Sequence, residues 1–152
     1  MDTDELFRQA NAAYEKGDFT EAFAIFTHAA NGGDCHAMTR LATMYELGEG
    51  VPADLSKSIE WDLKAIAAGS RSSILNLGLT YRSLGKNGDA QKWFEKALEQ
   101  GDGEAAFELA KLYKLEDENS PLIKKYLLLA VSAGDLSEET AKEVQNWLAK
   151  IG

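Results

Sequence analysis

The chain is poor in the side chains that build disulfides and metal sites. Its 152 residues include one cysteine, Cys35, and two histidines. One cysteine excludes an intramolecular disulfide, and a protein zinc site usually collects three or four Cys and His ligands. We therefore expect no metal ion and no cofactor.

The chain also lacks long apolar runs and an excess of basic charge. Its longest apolar stretch, 126–131, is far shorter than the roughly 20 residues needed to span a bilayer. The net charge of −9 argues against a nucleic-acid partner and suits either solubility or a basic protein partner. The acidic start of the chain has no basic or apolar region of a secretory signal, which predicts a cytoplasmic protein without a membrane partner.

What the chain does contain is a repeat marked by glycine. Four similar segments, spaced 32 to 36 residues apart, end at Gly33, Gly69, Gly101 and Gly134. Eight positions before each glycine stands a large residue, and four positions before it stands an alanine. The large residues are Ile25, Trp61, Trp93 and Tyr126, and the alanines are Ala29, Ala65, Ala97 and Ala130. Positions four apart lie on one helical face, so each segment is predicted to be a helix.

A second pattern fills the start of the later units. Leu, a small residue and Tyr recur as Leu41/Ala42/Tyr45, Leu77/Gly78/Tyr81 and Leu109/Ala110/Tyr113. Each terminal glycine is followed by Asp or Ser (Asp34, Ser70, Asp102 and Asp135), so one helix is predicted to end and the next to begin there.

Each unit is therefore predicted to hold two helices, which we call A and B. The pairs are expected at 3–16/19–31, 35–47/55–67, 71–83/88–99 and 103–115/121–132. A final helix, 137–150, would begin at Ser137 and cap the stack with Ala141, Val144, Trp147 and Leu148. This predicts one domain over 1–152 with units 3–33, 34–69, 70–101 and 102–134.

The second unit resembles a known family. The segment AMTRLATMYELGEGVPADLSKSIEWDLKAIAAG (37–69) is similar to a complete Sel1-like repeat. The matching residues are Leu41, Tyr45, Gly48, Gly50, Val51, Asp54, Lys57, Trp61, Lys64, Ala65 and Gly69. The other units look closer to the tetratricopeptide repeat. The resemblance implies an all-α fold: a right-handed α-solenoid of about four antiparallel helix pairs plus a C-terminal capping helix, serving as a protein-interaction scaffold.

Two motifs could suggest chemistry, and both are better interpreted as structural. Gly48-x-Gly50 follows no strand and precedes no Lys-Ser/Thr pair, so we interpret it as a turn before a helix capped by Asp54. Cys35 and His36 are adjacent on a helix and point about 100° apart, so they do not form a nucleophile and base. We find no catalytic constellation and predict that the chain is not an enzyme.

The resemblance to tetratricopeptide stacks implies that the A helices line a concave binding face. The positions left over after Leu, the small residue and Tyr are committed to packing would project into it. We call this set the A-helix surface: His36, Thr39, Thr43, Glu46, Ser72, Leu75, Leu79, Arg82, Glu104, Phe107, Lys111 and Lys114. In the first unit we favour Asp4, Phe7, Asn11 and Tyr14. The alternative for Leu75, Leu79 and Phe107 is that they pack on neighbouring helices.

Two functions follow from this interpretation. The first is a non-catalytic scaffold or adaptor that binds a protein or peptide of unknown identity, with a monomer as the expected state. The second is a small bacterial immunity or inhibitor protein that neutralises a toxin, which suits the compact size and acidity of the chain.

Overall fold

A computed structural model describes residues 2–152, and this part of the chain contains nine α-helices and no strand. Every predicted boundary lies within one residue of the observed one, which confirms four helix pairs followed by a final helix. The helices are α1 (Thr3–Glu15), α2 (Phe19–Asn31), α3 (Cys35–Leu47), α4 (Leu55–Ala67), α5 (Ser72–Ser83), α6 (Asn87–Glu99), α7 (Gly103–Glu116), α8 (Pro121–Ala133) and α9 (Glu138–Ile151).

The chain divides into two compact units, Met1–Leu77 and Gly78–Gly152. In the first unit α1 packs on α2 and α3 on α4, and in the second α7 packs on α8. The single domain predicted over 1–152 stays a prediction. We describe each unit by itself.

Small residues stand at the predicted helix contacts. The four recurring alanines, Ala29, Ala65, Ala97 and Ala130, are at most 2% exposed, and the leucines of the second pattern are fully buried. An alanine at a helix contact lets the partner helix approach closely, and larger neighbours fill the space around it. The recurring residues therefore specify how each pair packs.

Acidic residues begin most helices, as predicted for Asp34 and Asp102. Asp34 accepts hydrogen bonds from the backbone N–H groups of His36 (2.8 Å) and Ala37 (3.0 Å), and Asp102 caps α7 in the same way. These carboxylates satisfy donors that have no partner inside the helix.

Asp135 corrects the prediction. It does not cap the following helix, because α9 begins later and is capped by Ser137. Its carboxylate instead accepts a hydrogen bond from the Gly103 backbone N–H at 3.1 Å, at the start of α7. A side chain at Gly103 would overlap this carboxylate. Asp135 therefore ties the α8–α9 turn to α7.

The Gly48–Gly50 segment is a turn, as predicted. Gly48 ends α3 in the left-handed conformation, and Asp54 caps α4 by accepting a hydrogen bond from the Lys57 backbone N–H at 3.1 Å. Gly50 has a φ of 74°, and a side chain there would overlap the carbonyl of Phe19. The turn therefore lies directly against the first helix pair.

The two repeat tryptophans lie at the edge of the core rather than inside it. Trp61 and Trp93 are half-buried, and Lys64 and Lys96 lie over their rings, each with Nζ 4.4 Å from the ring centroid. The alanine and phenylalanine side chains fill the interior, so each indole covers the core and its outer face is shielded by a lysine stem.

Two glycines inside helices make a matched test of this packing. At Gly78 an added methyl would overlap the ring of Phe94, which is fully buried, whereas nothing lies within 4 Å of one at Gly88. We expect Gly78→Ala to lower the free energy of unfolding by about 1 to 3 kcal/mol. Gly88→Ala should raise it by about 0.5 kcal/mol, since alanine is the better helix former.

Urea denaturation of both variants checks this prediction. If Gly78→Ala were as stable as Gly88→Ala, the contact between α5 and Phe94 would not be close.

Candidate protein-binding surface

The twelve residues of the A-helix surface differ in how much of each the structure exposes. Four are exposed, seven are half-buried, and one is 5% exposed. The exposed residues are His36, Glu46, Ser72 and Lys114; the half-buried ones are Thr39, Thr43, Leu75, Leu79, Arg82, Glu104 and Lys111; the buried one is Phe107. Exposed and half-buried residues can contact a partner directly, whereas Phe107 supports the surface from below.

In the first unit, aromatic side chains connect α1 to α3. Phe7 lies against His36, with ring centroids 6.1 Å apart, and against Phe26 at 5.6 Å. Tyr14 lies under Arg40, whose guanidinium carbon is 5.3 Å from the ring centroid. The face favoured for α1, which included Phe7 and Tyr14, therefore does meet the predicted face of α3.

Tyr14 also reaches the glycine turn. Its hydroxyl donates a hydrogen bond to the Glu49 carboxylate at 2.6 Å. This bond, together with burial, raises the pKa of Tyr14 above its ordinary value. The turn of the Sel1-like unit is thus fastened to α1.

Thr39 is held in a cluster of hydroxyl groups. Its Oγ1 lies 2.8 Å from the Oγ atoms of both Ser70 and Ser73, and Ser70 Oγ lies 3.2 Å from Ser72 Oγ. Thr39 also donates to the Cys35 carbonyl at 3.1 Å. These bonds join α3 to the start of α5, so Thr39 has a structural task on the surface where we predicted binding.

Asp62 is the charged side chain that the sequence did not single out. It is 1% exposed on α4 and accepts hydrogen bonds from Ser73 and Asn76. Its Oδ1 has no hydrogen-bond partner. Burial raises the pKa of Asp62 to about 7, and the nearby charge of Glu46 raises it further, while the two hydrogen bonds oppose the rise.

The raised pKa makes stability depend on pH. The folded state holds the Asp62 proton more tightly than the unfolded state, so stability falls as pH rises from about 4 to about 7 and is level above that. Between pH 5 and pH 8 the wild type should lose about 2 to 3 kcal/mol that Asp62→Asn does not lose.

Urea denaturation at several pH values measures this difference. Parallel pH profiles for the wild type and Asp62→Asn would contradict the assignment of a raised pKa to Asp62.

In the second unit, α7 faces α9 through aromatic rings. Phe107 and Trp147 meet edge to face, with centroids 6.4 Å apart. Lys111 Nζ lies 4.1 Å from the Phe107 centroid, and Lys114 Nζ lies 5.1 Å from the Trp147 centroid. The alternative stated for Phe107, packing on neighbouring helices, describes what we observe.

Glu108 holds the neighbouring cations. It is 7% exposed, pairs with Arg82, and accepts a hydrogen bond from Lys111 at 2.9 Å. Burial, followed by the charge of Arg82, lowers the pKa of Lys111. Arg82 and Lys111 are therefore occupied in neutralising a buried carboxylate, and this agrees with the absence of a carboxylate clamp in the sequence.

Beyond this cluster, the second unit has an open cavity of about 530 Å³. Its walls come from the end of α7, the α7–α8 turn and α9. The lining residues are Lys114, Glu118, Asn119, Glu143, Asn146, Trp147, Lys150 and Ile151. Apolar walls with a few polar groups are typical of a binding cavity.

Most of these lining residues were missed at the level of sequence, because we assigned α9 only to capping. A signal was present: α9 follows Gly134-Asp135, as the earlier A helices follow their own glycines. Its side chains could therefore have been predicted to continue the A-helix surface.

No metal site and no membrane span are found in residues 2–152. No group of three His, Cys, Asp or Glu residues there could hold a metal ion. None of the helices in the same range is long and apolar enough to cross a membrane.

Comparison with known families identifies the repeats. Residues 35–70 match the Sel1 repeat, and residues 72–100 match the tetratricopeptide repeat. The chain is therefore a Sel1-like and tetratricopeptide-repeat-like protein, as its sequence indicated. No curated protein matches it in sequence. Repeats of this kind bind protein partners.

Solved structures confirm the all-α solenoid fold. A Sel1 repeat protein from Oxalobacter formigenes is 26% identical, with a TM-score of 0.77, and the match covers 98% of this chain and 63% of that one. The protective antigen c5321, from uropathogenic Escherichia coli and described as having an SLR fold, is 23% identical with a TM-score of 0.81. That match covers 98% of this chain and 33% of the antigen.

The chain thus spans less than two thirds of either protein. An immunity protein from Pseudomonas aeruginosa also matches, at 21% identity over 83% of this chain and 66% of its own, but its TM-score of 0.42 supports no argument.

Proposed function

We propose that this chain is a non-catalytic scaffold or adaptor that binds a protein or peptide through its A helices and α9. The repeats support a role in protein–protein interaction. The observation that carries the proposal further is the cavity at α7 and α9, where an indole ring, two lysines and two asparagine amides converge.

The cavity offers groups that the fold does not already use. Among residues 2–152, neither Lys114 nor Lys150 has a carboxylate within 4.0 Å, so both ammonium groups can pair with a partner. Trp147 is half-buried and Ile151 is 42% exposed, so both present apolar surface. Aromatic and apolar groups next to charged ones are what an interface centre needs.

Binding at this cavity can be tested with one charge reversal and a matched control. Random peptides displayed on phage are selected on the immobilised protein, and the affinity of the selected peptides is measured. Lys114→Glu should weaken binding at least about tenfold, since it reverses a charge at the cavity wall beside Trp147. Lys92→Glu makes the same change on exposed α6 and should weaken binding less than about twofold.

Both lysines are exposed and without ion partners in the described chain, so both variants should fold. Equal weakening by the two variants, or none by Lys114→Glu, would count against this cavity as the binding site.

The alternative, an immunity or inhibitor protein, stays a prediction. No contact in the structure favours it over a scaffold.

A further inference from the structure

A chain of hydrogen bonds runs from the buried Asp62 to the surface of α3. Asp62 is bonded to the Ser73 hydroxyl, and Ser73 is bonded in turn to Thr39 at 2.8 Å. Thr39 is also within hydrogen-bond distance of the Cys35 carbonyl, at 3.1 Å. Ser73 is fully buried, and Thr39 is half-buried. The four groups therefore form one connected path from α4 through α5 to α3.

The number of protons on this path is limited. A hydroxyl group has one proton to donate, although it can accept two hydrogen bonds. An ionised Asp62 only accepts, so the Ser73 proton points to it. The bond between Ser73 and Thr39 must then use the Thr39 proton, which is no longer available for the Cys35 carbonyl.

Protonation of Asp62 allows the opposite arrangement. A protonated carboxyl can donate to Ser73, which frees the Ser73 proton for Thr39 and the Thr39 proton for the Cys35 carbonyl. In this setting each of the three bonds has its own proton. In the ionised setting the Cys35 carbonyl gives up the bond from Thr39 and keeps only its helix partner.

We propose that Asp62, Ser73 and Thr39 form a two-state relay in which loss of the Asp62 proton reverses the donor direction and releases Thr39 from the Cys35 carbonyl. The Asp62 proton is exchanged with solvent and no other group changes its charge. The relay goes beyond binding: it connects the solvent pH to the hydrogen bonds of Thr39, a residue of the A-helix surface.

The surroundings of Asp62 favour both states near neutral pH. Its Oδ1 and the Oγ of Ser58, one turn earlier on α4, are buried without a hydrogen-bond partner, and a bare buried oxygen disfavours the ionised form. On α3 the charged group acting on Asp62 is Glu46, and α5 presents Ser73 and Asn76, which do not titrate. The pKa of about 7 that results from burial agrees with this geometry.

Nuclear magnetic resonance can follow the relay at both ends. The protein is labelled with ¹³C and titrated from pH 5 to pH 9, while the Asp62 carboxyl and Cys35 carbonyl signals are recorded. The background variant is His36→Gln, because a histidine next to Cys35 also changes charge in this pH range. We expect both signals to move with one shared midpoint near pH 7.

An internal reference is present in α2. Thr27 donates to the Phe23 carbonyl at 2.8 Å, the same kind of bond as that of Thr39, but outside the relay. The Phe23 carbonyl signal should therefore not move with this midpoint.

Ser73→Ala separates the relay from a simple charge effect. Without the serine hydroxyl, Asp62 should still titrate, with a higher midpoint because one donor to the ionised form is lost, but the Cys35 signal should no longer follow. If Cys35 still followed Asp62 in Ser73→Ala, or if Asp62 titrated below pH 5 in the background variant, the relay would be wrong.

Discussion

The close approach of the two helices in each pair is the constraint on which the structure depends. It requires a small residue at the contact and large residues around it, and both recur at fixed distances from the glycine that ends helix B. Because the contact repeats, each pair buries its apolar face mainly against its own partner and the next helix. The polar outer sides of the A helices are then available for contacts with another molecule.

Two buried carboxylates show different solutions to one problem. Glu108 in the second unit is neutralised by Arg82 and Lys111, so it keeps its charge. Asp62 in the first unit has only hydroxyl and amide donors, so its ionised form is destabilised by burial. The first solution occupies two cations that could otherwise bind a ligand, and the second makes the first unit sensitive to pH.

The fold was predictable because its signals are local. Gly33 and Asp34 end one helix and begin the next within two residues, and such pairs recur along the chain, so the nine helices could be placed to within one residue. The site was less predictable, because it depends on contacts distant in sequence. The burial of Asp62 depends on Ser73 and Asn76 in the next helix, and the cavity depends on how α9 lies against α7.

Exposure of the predicted surface was also only partly readable. Helical spacing correctly places Phe107, Lys111 and Lys114 on one face of α7, but it does not say that Trp147 covers Phe107. Similarly, Asp135 follows a helix-ending glycine as Asp34 and Asp102 do, yet α9 starts two residues later than that pattern implies. An insertion of this size shifts the partner of a side chain without changing the repeat around it.

The most direct test of the central constraint is a pair of alanine substitutions in α2. Ala29 is fully buried at the helix contact, and Ala24 is exposed on the same helix. In urea denaturation, Ala29→Leu should lower the free energy of unfolding by about 2 kcal/mol or more, whereas Ala24→Leu should change it by less than about 0.5 kcal/mol. If the two variants were equally stable, close approach at the small residue would not be what holds the helix pair together.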